Sequence, residues 1–254
     1  MFLAIDIGNS NIVLGVYENG KLLHKFRMLT ILDKKIDDYA VDILELFISK
    51  KIDCLKITNV AIVSVVPMLN KIILDSVKRF FSGEVKIFGE NLKSDIKIEI
   101  QNKKEVGHDR LVNAIAGYKK YGGNLLIIDL GTATTFDVVG VYGQYLGGVI
   151  APGVNLSIKT LHEMTAKLPK IQLKSQENVI GRNTYEAINS GIYFGYISLL
   201  EGLILKIEKE YGSELKILFT GGFANLFSEA ISNKNIIDEN LTLEGLMIAS
   251  GEMI

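Results

Sequence analysis

The feature that most constrains this chain is a repeat of its own opening strand. Phe2-Leu3-Ala4-Ile5-Asp6-Ile7-Gly8 matches Leu125-Leu126-Ile127-Ile128-Asp129-Leu130-Gly131 in residue type at every position, at an offset of 123 residues in a chain of 254. Each copy is an apolar run carrying one carboxylate, then a glycine, then polar residues. Both copies run on to a Gly-Val-Tyr triplet, Gly15-Val16-Tyr17 and Gly140-Val141-Tyr142. A single duplication is too short an array for a solenoid. It predicts two βββαβα halves, domains 1–118 and 119–254, facing each other across a cleft of the kind that commonly holds ligands.

Local patterns fill in the halves. Short apolar runs separated by Gly and Asn predict strands over Phe2–Ile7, Asn11–Tyr17 and Lys21–Met28. Helical spacing follows over Asp37–Ser49, through Tyr39, Val41, Leu44, Leu46 and Phe47, and again over Leu69–Phe81. Strands are expected at Val60–Val66, Val85–Phe88 and Ile96–Ile100. In the second half, strands at Leu125–Leu130 and Thr134–Val141 precede polar, Gly- and Pro-containing loops at Tyr145–Gly153 and His162–Lys170. A long helix is expected over Tyr185–Lys209, capped by Asn183 with Glu186.

Composition excludes several classes. With 28 Lys+Arg against 29 Asp+Glu, no basic field invites nucleic acid. The single cysteine, Cys54, rules out an internal disulfide and a multi-cysteine zinc site. Apolar content of 48% is enough for a packed core. Neither a leader nor a membrane-spanning run is expected, so the reading is a soluble cytoplasmic protein.

The chemistry concentrates in four places. Asp6-Ile7-Gly8-Asn9-Ser10-Asn11 and Asp129-Leu130-Gly131-Thr132-Ala133-Thr134-Thr135 each place a carboxylate at a strand end, where it needs a cation or hydrogen bonds. Glycine then lets a phosphate approach the backbone N–H groups. Either loop alone is also a plain polar turn; the duplication favours a pair of phosphate clamps. Gly107-His108-Asp109-Arg110 opens an amphipathic helix. Asp109 there is either a first-turn capping carboxylate, which the helix N-terminus favours in ionised form, or a functional group beside the guanidinium fork of Arg110. Leu218-Phe219-Thr220-Gly221-Gly222 allows backbone to approach a flat ligand, or is a tight strand-to-helix turn. Gly191 and Gly195 each cost the long helix about 1 kcal/mol relative to Ala, which close packing within the chain or across a dimer would offset. Walker A, Gly-x-Gly-x-x-Gly and Gly-x-Ser-x-Gly patterns are absent.

The two Asp-x-Gly loops and the later Thr-Gly-Gly resemble the superfamily of sugar kinases, heat-shock ATPases and actin. Within it, six segments in order resemble type III pantothenate kinases: Asp6–Asn11, Glu105–Arg110, Asp129–Thr135, Gly147–Gly153, Thr165–Pro169 and Gly181–Thr184. The resemblance implies an α/β fold of duplicated ribonuclease H-like (actin-like ATPase) domains with a central cleft. It implies ATP-dependent phosphorylation of pantothenate, with Mg²⁺, a monovalent cation (K⁺ or NH₄⁺) and a homodimer. Carried over position by position, Asp6, Ile7, Gly8, Asn9, Ser10, Asn11, Ile12 and Val13 form the first phosphate loop, and Thr132 contacts ATP. Asp109 accepts the proton. Gly107, His108, Asp109, Arg110 and Thr184 contact pantothenate. Asp129 holds the monovalent cation, and Asp6 organises Mg²⁺. Ser10, Ile100, Lys103 and His108 depart from the usual Thr, aromatic, Pro and Ala. The alternatives are another small-alcohol kinase and a non-enzymatic accessory factor, the latter disfavoured by intact Asp6, Asp109 and Asp129.

Overall fold

The structure, a computed structural model, describes residues 1–81, 83–231 and 235–252. The first half builds β1 (Phe2–Ile7), β2 (Asn11–Glu18), β3 (Lys21–Leu29), α1 (Ile36–Ser49), β4 (Asn59–Ser64), α2 (Pro67–Val77), β5 (Glu84–Ile87) and α3 (His108–Tyr121). The second builds β6 (Leu125–Leu130), β7 (Ala133–Val139), β8 (Tyr145–Pro152), α4 (Val154–Glu163), α5 (Thr184–Tyr211), β9 (Lys216–Thr220), α6 (Ala224–Ile231), β10 (Ile236–Ile237) and α7 (Leu241–Ala249).

The repeat in the sequence is a repeat in topology. One sheet has the order β3-β2-β1-β4-β5 and the other β8-β7-β6-β9-β10. In each, an antiparallel three-stranded meander is extended by parallel strands on its far side. The α/β class and the duplicated architecture are therefore as expected. The Gly-Val-Tyr triplets are not equivalent, however. Gly15–Tyr17 lies within β2, whereas Gly140–Tyr142 forms the turn after β7, closed by the Gly140 N–H to the Gln144 carbonyl at 2.8 Å.

β1 is apolar on both faces because both faces are covered. Leu3, Ile5 and Ile7 enter a core with Ile43 and Phe47 of α1 and Leu69, Ile73 and Val77 of α2. On α1 the buried stripe is Tyr39, Ala40, Ile43 and Phe47. Val41 and Leu44, counted from spacing as core positions, are exposed. Pro67 opens α2 at the first turn, where its missing N–H is harmless. The opposite face of β1 is small at its centre: Ala4 pairs with Gly15, and a Cβ on Gly15 would lie 2.9 Å from Leu243 of α7.

Ile96–Ile100, expected as a strand, forms no continuous strand. Its start is held by the Ile96 N–H to Ser94 Oγ at 3.0 Å, and Ile96 and Ile98 line a cavity, with Ile98 making only an isolated bridge. Tyr145–Gly153, expected as loop, is mostly β8, paired to β7 from Val139↔Tyr145 to Ala133↔Pro152. α4 takes the first part of the second expected loop.

In the second unit, Leu126, Ile128, Leu130 and Phe136 pack against Ile192, Tyr196 and Leu200 of α5 and Phe227 of α6. α5, with 28 residues, has the length and apolar content that a membrane span would need. Its buried stripe nonetheless belongs to this core and includes Asn189 and Ser190. Packing divides the chain into Met1–Lys120 with Asn240–Ile254, and Tyr121–Glu239. The single cut expected at 118/119 differs in its C-terminal part: α7 returns to the first unit, because its leucines complete the sparse face of β1 and β2.

Candidate active site

The first candidate loop is the β1–β2 hairpin. Its neck is closed by the Gly8 N–H to the Asn11 carbonyl at 3.0 Å. It is tied to the end of β3 by Thr30 Oγ1 donating to the Gly8 carbonyl at 2.7 Å and the Thr30 N–H to the Ser10 carbonyl at 3.1 Å. A side chain at Gly8 would press on the Asn11 carbonyl at 3.1 Å. Asp6 faces Val13 across the ladder and is half-buried; Asn9 and Ser10 are exposed. Ile7 and Ile12 are fully buried core residues, so only their backbone is available to a ligand.

The β6–β7 hairpin repeats this arrangement one residue shorter, closed by the Gly131 N–H to the Ala133 carbonyl at 3.1 Å. Thr132 is exposed at its tip. Asp129 lies opposite Thr135 in the ladder, so the two share a face, with Asp137 two residues further on. Asp137 is fully buried and accepts hydrogen bonds from Tyr145 Oη at 2.7 Å and Thr135 Oγ1 at 3.0 Å. The sequence reading did not single it out.

Gly221 lies against this hairpin. Its φ of +88° suits glycine, and a Cβ would stand 2.5 Å from Asp129 Oδ1. The close backbone approach anticipated for a flat ligand is thus made to Asp129 and Leu130 of the neighbouring strand. Gly153 does the same from the other side: its Cβ would lie 2.1 Å from the Thr132 carbonyl and 2.6 Å from that of Gly131.

Asp109 sits in the first turn of α3, with Oδ1 accepting from the Arg110 N–H at 2.8 Å. A Cβ on Gly107 would lie 2.5 Å from that same oxygen. Burial pushes the carboxyl upward and outweighs the Arg110 amide and guanidinium, which pull it down. The ionised form expected at a helix N-terminus is thus opposed by burial, which sets the direction of the shift. His108 packs edge-on against Phe88 with ring centroids 5.8 Å apart. It also covers Gly89, whose φ is +89° and whose Cβ would fall 2.1 Å from His108 Cε1. Beside it is a cavity of about 290 Å³ whose lining includes Leu92, Ile96, Val106, Lys93 and Lys103.

Thr184 opens α5. Asn183 Oδ1 caps the helix by accepting from the Glu186 N–H at 2.9 Å, and Glu186 accepts from the Arg182 N–H at 2.7 Å. Arg182 and Glu186 line a hollow of about 460 Å³. Among the described residues, outside the helix's own backbone, nothing lies within 4 Å of where a Cβ on Gly191 or Gly195 would stand, so no packing among them offsets the cost of these glycines.

The structure thus gathers Gly107 with Asp109, and Asp129 with Gly131. Sequence reasoning missed Phe88, Gly89 and Asp137. Only Gly89 carried a local signal, as a glycine after a strand.

Two five-stranded sheets of one topology, each with an Asp-x-Gly hairpin, define a duplicated actin-like ATPase and sugar-kinase fold. Solved structures of that fold agree. The activator of 2-hydroxyisocaproyl-CoA dehydratase from Clostridium difficile, with bound ADPNP, superposes with a TM-score of 0.55 at 11% identity, covering 98% of this chain and 92% of that one. An inorganic polyphosphate/ATP-glucomannokinase from Arthrobacter sp. strain KM gives 0.51 at 17%, covering 99% of each. The family model for type III pantothenate kinase matches residues 2–206. The type III pantothenate kinase of Paramagnetospirillum magneticum is 43% identical over 97% of this chain and 95% of its own. That of Myxococcus xanthus is 39% identical over 99% and 98%. The chain belongs to the type III pantothenate kinase family.

Proposed function

We propose that the chain transfers the γ-phosphate of ATP to the primary hydroxyl of pantothenate, giving 4'-phosphopantothenate, the first step of coenzyme A biosynthesis. The observation that carries this reading is the family match along almost the whole chain, with Asp6, Asp109 and Asp129 all intact. Phosphoryl transfer asks a protein chiefly for positioning and charge neutralisation. In this reading the Gly8 and Gly131 hairpins offer backbone and hydroxyl donors to the phosphates, the first through Asp6 to Val13 and the second through Thr132. Gly107, His108 and Arg110, together with Thr184, orient pantothenate. Asp109 orients the acceptor hydroxyl and takes its proton; burial makes it a stronger base than a solvated carboxylate.

Among the described residues no three His, Cys, Asp or Glu side chains converge on one point. Mg²⁺ is commonly bound through one or two carboxylates plus substrate phosphates and water. Asp6 is the carboxylate for it. Asp129, with Thr135 on the same face, is an all-oxygen site for K⁺ or NH₄⁺. A bound divalent ion neutralises charge on the phosphates. The open glycine face of α5 is proposed as a homodimer contact. The reading is of a soluble cytoplasmic enzyme with no nucleic-acid or membrane partner.

The test is ADP release from purified protein with ATP and Mg²⁺, comparing pantothenate with glycerol and sugars, in Na⁺ and then in K⁺. Turnover restricted to pantothenate and raised by K⁺ is expected. Equal turnover of sugars would replace this reading with that of another small-alcohol kinase.

A further inference from the structure

Tyr196 is a polar residue in an apolar place. It is 6% exposed, on the core face of α5, with its ring 5.7 Å from that of Phe227. Phenylalanine would bury the same ring without having to desolvate a hydroxyl, and that burial pushes the phenol upward. The hydroxyl therefore needs partners, and it has them in Pro152 and Ser157, with the Thr134 hydroxyl of β7 beside it. Tyr196 Oη donates to the Pro152 carbonyl at 2.5 Å, and Ser157 Oγ lies 3.0 Å from it. Ser157 Oγ, with one proton to give, donates either to Tyr196 Oη or to the Gly153 carbonyl 3.1 Å away. Pro152 pairs with Ala133 at the end of the β7–β8 ladder, and Gly153 presses its Cα on the Gly131 and Thr132 carbonyls so closely that no side chain fits between. The hydroxyls of Tyr196 and Ser157 thus fasten the segment that backs the tip of the second hairpin.

We infer that Tyr196 is a positioning residue for the Gly131–Thr132 loop, acting through Pro152 and Gly153. The consequence for ATP rests on the proposed reading of that loop as a phosphate loop; the mechanical claim does not. Without the hydroxyl, the Pro152–Gly153 segment loses its anchor to α5, and the two peptides that present N–H groups at the hairpin tip move more freely. Binding that depends on their fixed aim weakens, while proton transfer at Asp109, on a different element, is untouched.

The experiment is Tyr196→Phe in the full chain, with Ser157→Ala and Thr132→Ala beside it. Amide hydrogen exchange at Gly131–Ala133 is expected to quicken in Tyr196→Phe. KM for ATP is expected to rise about fivefold, the size of one hydrogen bond, with kcat and KM for pantothenate within about twofold. Ser157→Ala should move the same quantities in the same direction. Wild-type exchange at these amides overturns the inference, whatever KM does, because the hold on the loop would be absent. A drop in melting temperature with both exchange and KM unchanged also overturns it, leaving a purely packing residue. Thr132→Ala tests the loop reading separately. An unchanged KM for ATP in that variant overturns the phosphate-loop assignment, while the exchange rates still decide what Tyr196 holds.

Discussion

At Asp109 two effects of opposite sign meet on one carboxyl, and their sizes decide its chemistry. A helix N-terminus and a neighbouring Arg favour the charged form by modest amounts. Burial disfavours it and prevails. The activity consequence has a clear sign: the base works when ionised, so kcat should fall as pH drops through a midpoint above the ordinary carboxylate value near 4. A midpoint at or below that value in a pH–rate profile contradicts the burial argument. Stability runs the other way. Because the folded-state pKa is raised, the ionised side chain burdens the native state, and stability declines as pH climbs from the unfolded pKa through the folded one. Asp109→Asn should therefore lower kcat by about 10²–10⁴-fold and still melt no lower than wild type at neutral pH; calorimetry and ADP release check both. Gly107→Ala is a subtler probe of the same oxygen. A Cβ 2.5 Å from Asp109 Oδ1 must displace the carboxylate, so kcat should drop at least tenfold, an energy of about 1.4 kcal/mol, with the fold intact by circular dichroism.

Elements were legible in the sequence where a face is buried and repetitive. The runs of β1 and β6 are apolar because helices cover their sheets, so composition alone marks them as strands, and the carboxylate before each glycine marks where the strand ends. Legibility failed where side chains rather than ladders organise the backbone. Ile96 and Ile98 alternate like a strand but line a cavity, and β8 looked like loop because its glycines and Pro152 disguise a real ladder to β7. Asp109 and its neighbours were visible as a motif; the cup that receives His108 was not, since Gly89 and Phe88 reach it only through folding. That cup gives an element-scale prediction. Gly89→Ala introduces left-handed strain of about 1–2 kcal/mol and a Cβ 2.1 Å from the imidazole. It should destabilise the chain by more than the strain alone. Adding His108→Ala should recover the excess, a coupling between the two substitutions that urea denaturation resolves. Simple additivity would mean that the ring swings aside at no cost.

The whole chain is not cut once at its middle, and α7 is the reason. Duplication made the halves look like two consecutive pieces, yet the last helix serves the first. Leu241, Leu246 and Met247 are at most 1% exposed, and Gly245 is needed because a Cβ there would stand 2.3 Å from the Val112 carbonyl of α3. Polar ties repeat the assignment: Thr242 Oγ1 donates to Asn113 Oδ1 at 2.8 Å, and Lys120 pairs with Glu244. Nothing local in Leu241–Ala249 reveals this, because an apolar helix pattern does not say which surface it will cover. What could have revealed it is the complementary sparsity of Ala4 and Gly15, a hollow strand face that requires a lid. Stability should follow that packing rather than sequence order. Leu246→Ala removes a fully buried side chain and should cost about 2–5 kcal/mol. The damage should appear as faster amide exchange in Phe2–Tyr17 and in α3, over a hundred residues away in sequence, before it appears in β6 and β7. If Leu125–Val139 loosened first, the last helix would belong energetically to the second unit, and the division by packing would be wrong.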